Sequence, residues 1–329
     1  MAKFCLFFLA VFVVAPISAA HPSPNLERMD ESWHSLLLRL DRDKIYGPDV
    51  EFWFINLPEK FSSRPMGIKA RLLFRQRFIL APSSPDSDSG PSVYPGVVTP
   101  DNMLRCRAFL KEHAGIFQAV EELYATPKEV LVSLLMVESR LGDFLGSENA
   151  FWTLACMAAA DKPERIMDYL RDLPFDSRRE KWLRDLLEVR SARAYAELKA
   201  LILHCRRYEY NPLELPGSVY GAIGLCQFMP SNIDIYAADG DGDGRIDLFS
   251  LADALPSAAN FLKSHGWKKS SPASDYSRLL RYYNNSEIYS NTVLALTAGV
   301  LEAEARLPGG SEKSGEGDSV PPAGAEEKR

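Results

Sequence analysis

The chain has 329 residues, 46% of them hydrophobic and 25% charged, proportions that exclude a collagen, a low-complexity chain and a multi-span membrane protein. Its 38 basic residues stand against 44 acidic ones, a net charge of −6, so no basic excess marks a nucleic-acid partner. The length suffices to bury a sizeable core without staples.

Met1-Ala2-Lys3 precedes an apolar run from Phe4 to Ala15, then Pro16 and the small residues Ser18-Ala19-Ala20, which predicts a secretory signal peptide over residues 1–20 with cleavage before His21. The run is shorter than the ~20 residues of a spanning helix. No later segment is apolar for long enough, so the expectation is a soluble exported protein, periplasmic, with no retained transmembrane anchor. Without the leader the chain carries −7 and four cysteines, Cys106, Cys156, Cys205 and Cys226. In an oxidising compartment these permit two disulfides in three connectivities, or they are simply buried thiols. No Cys-x-x-Cys, His-Glu-x-x-His or Gly-x-Ser-x-Gly is present.

Residues 21–97 make an N-terminal accessory region with linker. In it Trp33–Leu40 is short and amphipathic, and Val50–Leu57 suits a strand or a buried helical turn. Residues 81–100 are rich in Pro, Ser, Asp and Gly and predict a loop, with Val93–Val98 able to dock. From Asp101 the periodicity is helical, over Met103–Ala114, Ile116–Tyr124, Pro127–Leu141, Glu180–Tyr208, Ala252–His265 and Tyr289–Arg306. The tail over 307–329 is nearly without apolar residues and is expected to be disordered.

Four segments carry chemistry. In the first, Thr126 can cap a helix, Pro127 suits its first position and Glu129 completes a capping box. Seven of the eight residues from Val130 to Val137 are apolar, so the helix is buried nearly all round and Glu138 closes it. Burial and the negative end of the helix dipole both raise the pKa of a carboxyl placed there, as a general acid requires. Alternatively, Glu138 reaches the surface and pairs with Arg140. The second segment, Gly217 to Ser231, packs three glycines around Gln227, which suits a polar uncharged ligand such as a sugar or, equally, an ordinary turn. The third, Asp239-Gly-Asp241-Gly-Asp243-Gly244-Arg245-Ile246-Asp247, matches an EF-hand loop except that Ser250 stands where a bidentate Glu is expected, and the next carboxylate is Asp253. It predicts a Ca²⁺ site or an acidic turn. The fourth, Tyr282 to Tyr289, mixes aromatic and amide side chains that can stack on and bond to sugars, or cap helices.

Taken in order, these segments resemble the lytic murein transglycosylase B family. Val137-Glu138-Ser139-Arg140-Leu141-Gly142 looks like its catalytic motif, and Gly217-Ser218 through Gln227-Phe228-Met229-Pro230-Ser231 like its Gly-Ser…Gln-Phe-Met-Pro-Ser stretch. The Asp239 loop and His265-Gly266-Trp267 follow at the expected separations, and the likeness runs from Val98 to Leu301. The resemblance implies a mainly α (α+β) fold: a lysozyme-like core over 98–306 with accessory helical and small β parts and an EF-hand-like calcium loop at 239–253. It implies cleavage of the β-1,4 bond between N-acetylmuramic acid and N-acetylglucosamine in peptidoglycan glycan strands, leaving 1,6-anhydromuramoyl ends. Glu138 is then the single acid/base. Ser218 and Gln227, with the adjacent Phe228, line the site near it, and Tyr283, Asn284 and Tyr289 form the far wall. A longer calcium loop makes Asp239, Asp241, Asp243, the Arg245 carbonyl and Asp253 the ligands. Leu141 departs from the family's usual aromatic, and Cys226 from its usual small residue. A hydrolytic muramidase is the alternative enzyme. Its second carboxylate would be Asp143, which five helical residues, about 500° of rotation, turn away from Glu138 unless the helix ends first. A calcium-stabilised, non-catalytic wall-binding protein is the alternative from another class.

Overall fold

The computed structural model describes residues 24–80 and 92–305, so the expected leader, residues 81–91 of the expected loop and the 307–329 tail lie outside the described residues. In chain order the α-helices are α1 (His34–Arg42), α2 (Pro48–Ile55), α3 (Arg64–Phe78), α4 (Pro100–Glu112), α5 (Ala114–Tyr124), α6 (Lys128–Ser139), α7 (Ala150–Ala159), α8 (Ser177–Tyr208), α9 (Ile233–Tyr236), α10 (Leu251–Ser264), α11 (Ala273–Tyr283) and α12 (Glu287–Ala305). Two strands of two residues each, β1 (Glu148–Asn149) and β2 (Pro216–Gly217), lie where the chain leaves one compact unit and returns to it. The fold is mainly helical, as expected. Val50–Leu57, open between strand and helical turn, is helical as α2. No described helix is long and apolar enough to cross a membrane.

Of the described residues, one unit contains 24–80 together with 149–215, and the other contains 92–148 together with 216–305. Residues 149–215, inside the stretch 98–306, thus group with the N-terminal helices. The reason lies in α7, all ten of whose residues are buried, so it needs a shell on every side. Within this unit α8, α3 and α1 supply that shell. Phe151 of α7 meets Phe54 and Trp53 edge to face, with ring centroids 5.3 and 5.9 Å apart. Helix α8, 32 residues long, starts at Asp176, whose carboxylate accepts from the Arg179 amide at 2.8 Å, and ends at Glu209 in the left-handed conformation.

The other unit is organised around α6, buried from Glu129 to Met136 and again at Ser139. Helices α4, α5, α10 and α12 pack around it. The start of α6 differs from the expected capping box. Pro127 itself occupies the cap position, its carbonyl accepts from the amides of Val130 and Leu131, and the Thr126 hydroxyl is buried without a hydrogen-bond partner. The segment Val93–Val98 docks through the Tyr94 amide, which donates to Thr292 Oγ1 at 2.9 Å, and just before it Asn291 Nδ2 donates to the Ser92 carbonyl at 3.3 Å. All four described cysteines are buried free thiols, each pushed up to about 12 chiefly by burial.

Candidate active site

Helix α6 ends one residue after Glu138. Arg140 and Leu141 both take the left-handed conformation, at φ 54° and 65°, which turns the chain sharply out of the helix. Ser139 secures the turn, with its hydroxyl donating to the Leu135 carbonyl and accepting from the Gly142 amide. Two consecutive non-glycine residues in this region hold strain that only well-determined surroundings sustain. The result is a Glu138 side chain that is partly accessible from solvent yet set in desolvated surroundings. Burial raises its pKa to about 7, and the hydrogen bond from Tyr289 Oη to Oε1, at 2.6 Å, opposes that rise. Neither of these is a second acid. Arg140, the alternative partner, lies instead with its guanidinium 5.7 Å from the Phe144 ring centre.

Because α6 stops at Ser139, the helical rotation that would carry Asp143 away does not apply. Asp143 is committed differently: its Oδ2 accepts from Arg105 Nη2 at 2.5 Å, and the same nitrogen donates to the Arg140 carbonyl at 3.2 Å.

Around Glu138 the loop from Gly217 to Phe228 folds on Ile223, which bridges both Gly217 and Phe228. Glycine is required at two close approaches. A Cβ on Gly146, at φ +111°, would lie 1.9 Å from the Gly217 carbonyl oxygen, and one on Gly224 would lie 2.4 Å from that of Leu248. Gln227 adopts φ 49°, and its Nε2 donates to the carbonyls of Leu145 (3.3 Å) and Gly224 (2.9 Å). Its amide oxygen remains as the acceptor it can present to a ligand. Ser218 Oγ accepts from the amides of Tyr220 and Ala222, which leaves its proton to donate.

Tyr283 and Tyr289 stand with parallel rings, 6.4 Å between centroids and 4° between planes. Tyr283 Oη donates to the Cys226 carbonyl at 2.6 Å, tying α11 to the glycine loop. Burial pushes both phenols well above their usual range, and the Glu138 charge adds to the effect. Asn284 caps α11 and is exposed. Phe228 is 2% exposed, lies between Phe261 and Tyr283, and so backs the wall rather than forming its surface. Sequence reasoning passed over Tyr94, whose phenol acts electrostatically on Tyr289. It sits in a Pro/Ser/Gly-rich loop, and only the docking of that loop on α12 brings it near.

In the acidic loop, one oxygen each from Asp239, Asp241 and Asp253 lie within 4.8 Å of one another. Asp253 is 2% exposed, and burial first, then Asp241 and Asp239, push its carboxyl up. Converging carboxylates of this kind fit a hard cation. Asp239 also accepts from the amides of Gly242, Asp243 and Gly244, which curls the loop around it. Asp243 is outside the converging group, and its Oδ1 accepts from the Arg245 amide. Ser250, at the EF-hand's twelfth position, caps α10 through the Ala252 amide, and the first turn of that helix brings in Asp253 in its stead.

Glu138, gripped by Tyr289 near the end of the helix around which its unit is built, stands where the resemblance read from the motifs expects an acid/base. The chain belongs to the family described as the transglycosylase SLT domain, whose model matches residues 76–276. Over 172 residues it is 33% identical to membrane-bound lytic murein transglycosylase B of Escherichia coli (strain K12), which bears out the resemblance read from the motifs. That match covers 52% of this chain and 40% of the relative, so it spans less than half of the relative's length. The fold is similar to that of the Escherichia coli lytic transglycosylase Slt35 in complex with calcium, with a TM-score of 0.61 and 20% identity over 86% of this chain and 98% of that one. It is also similar to that of SltB3 from Pseudomonas aeruginosa in complex with NAG-NAM-pentapeptide, with a TM-score of 0.57 and 21% identity over 88% and 82%.

Proposed function

We propose that the protein is an exported peptidoglycan lytic transglycosylase that cuts glycan strands between N-acetylmuramic acid and N-acetylglucosamine. One observation carries the reading: Tyr289 Oη grips Glu138 Oε1 at 2.6 Å in desolvated surroundings, where burial raises the carboxyl to about 7. A carboxyl with that pKa is protonated often enough to donate and ionised often enough to accept near neutral pH.

Protonated Glu138 gives its proton to the leaving glycosidic oxygen. The N-acetyl group of the muramoyl residue stabilises the electron-poor anomeric carbon, a substrate-assisted route that needs no second carboxylate. Glu138, now anionic and steadied by Tyr289, takes the proton of the C6 hydroxyl, whose oxygen closes onto C1. The products are a 1,6-anhydromuramoyl end and a new N-acetylglucosamine end, and no water is consumed. Ser218, Gln227, Tyr283, Asn284 and Tyr289 hold the sugars, and Phe228 supports Tyr283 from behind. Asp239, Asp241 and Asp253 would hold a Ca²⁺ ion whose part is to stabilise the loop, and Asp243 and the Arg245 carbonyl would have to close onto it to join them. The relative's name and the calcium-complexed neighbour support these two readings. The apolar run of residues 4–15 supports export.

The test is digestion of purified sacculi in isotopically heavy water. Muropeptides ending in 1,6-anhydromuramic acid, lighter by one water and free of heavy oxygen, are expected. Reducing ends carrying the heavy oxygen would make the enzyme a hydrolytic muramidase. Uncut sacculi would leave a wall-binding protein.

A further inference from the structure

The chain is acidic overall, yet residues 268–281 carry Lys268, Lys269, Arg278 and Arg281 against Asp275 alone. This local inversion of charge falls on α11 and the loop that leads into it. The inner face of α11 is occupied by buried Leu279 and Leu280 and by Tyr276, whose ring lies 4.4 Å from that of Trp267. Ser274, Ser277, Arg278, Arg281 and Tyr282, spaced three, four, seven and eight residues from the first, form one stripe on the outer face, and Asn285 joins it from beyond the helix end through Arg281. Together they line a groove of about 630 Å³. At 100° per residue this stripe points to the side of the helix opposite Tyr283, so a helix diameter of about 10 Å separates the groove from the catalytic wall.

The groove is equipped for a carboxylate. Arg281 Nη2 is held only by a neutral partner, the Asn285 amide oxygen at 3.1 Å, which orients the guanidinium and leaves its charge unspent. Arg278, one turn earlier, keeps one exposed ion pair with Asp275 at 3.0 Å. Two guanidinium forks a turn apart match carboxylate geometry better than ammonium groups do. Beside them Tyr282 is 53% exposed, with its ring 5.0 Å from that of His265, a surface for small apolar substituents next to the charge.

We propose that the outer face of α11 is a second, non-catalytic site that binds the free carboxylates of peptidoglycan stem peptides and keeps the enzyme on the sacculus while Glu138 works on a glycan strand. This rests on the proposed substrate polymer but not on the chemistry at Glu138. Since the groove lies behind the wall, the stem it binds belongs to a neighbouring disaccharide or strand.

Cosedimentation with purified sacculi, intact or stripped of their free carboxylates by carbodiimide coupling to excess methylamine, tests the site in the Glu138→Gln background, which leaves the polymer uncut. The parent should bind intact sacculi about five- to tenfold more tightly than stripped ones, as two exposed charge pairs would give, and the preference should shrink with added salt. Arg278→Gln with Arg281→Gln should bring binding to intact sacculi down to the stripped level. Arg278→Lys with Arg281→Lys should restore a large part of it. With Glu138 intact, the Gln pair should cut peptide-free soluble glycan at the rate of the parent. Equal binding of intact and stripped sacculi, or a preference that survives the Gln pair, overturns the site even where glycan is cut to anhydro ends. Arginine-dependent binding in a protein that cuts nothing would uphold the site and sink the transglycosylase reading.

Discussion

The phenol of Tyr289 donates to Glu138 Oε1 at 2.6 Å, and it does so from a side chain that is itself 1% exposed. Two residues 151 positions apart in the chain thus share one short bond in a desolvated place. The bond favours the ionised carboxyl and so works against burial, which favours the neutral one. Removing it with Tyr289→Phe should raise the Glu138 pKa above about 7 and move the alkaline limb of the pH–rate profile upward. The rate should fall roughly tenfold as the carboxyl loses its fixed orientation, about 1.4 kcal/mol. A limb that stays in place, or moves to lower pH, would show that Tyr289 does not set this pKa.

Glu138→Gln keeps the shape and discards the proton. Turnover of glycan should drop at least about a hundredfold, the usual scale of general acid–base catalysis. Stability should change in the opposite sense. In the wild type the folded carboxyl stays protonated up to about 7 while the unfolded one ionises near 4.5, so stability is lost as pH rises through that window and stays low above it. The Gln variant has no such loss. Its advantage should be near zero at pH 4 and on the order of 1–3 kcal/mol at pH 8, which calorimetry at the two pH values can read. An advantage that does not grow with pH would mean the folded pKa is not raised.

For the acidic loop, millimolar Ca²⁺ should raise the melting temperature and a chelator should lower it. Saturation a hundredfold above the dissociation constant corresponds to about 2.7 kcal/mol. Asp253→Ala should abolish the calcium response, since Asp253 alone among the converging carboxylates is buried. An unchanged melting temperature in both conditions would leave an acidic turn.

Helix α8 was legible from its periodicity, and α6 from the proline that opens it. Helix α7 was not, because ten apolar or small residues in a row have no face to reveal, and its burial depends on partners that come from residues as distant as Phe54. The two-unit division has the same origin. At the site, Glu138 could be read from the apolar run before it and Asp253 from the failed twelfth position of the calcium loop. Tyr94 and the Arg105–Asp143 pair could not, because each depends on a contact that the chain order hides.

Gly146 offers the sharpest structural test, because it meets two restrictions at once. Its φ of +111° suits glycine alone, and any Cβ would lie 1.9 Å from the Gly217 carbonyl oxygen, a backbone atom that cannot swing aside. Gly242 serves as the control. It has a comparable positive φ, +76°, but open space around it. Gly242→Ala should therefore cost only the backbone strain, about 1 kcal/mol, and leave turnover alone. Gly146→Ala must add the displacement of the 217–228 loop, for a total of about 3 kcal/mol or more in urea unfolding. Since Leu145, the residue just before it, supplies a carbonyl that holds the Gln227 side chain, turnover should fall with stability. Equal losses in the two variants would show that the approach of Gly146 to Gly217 places no constraint on the loop.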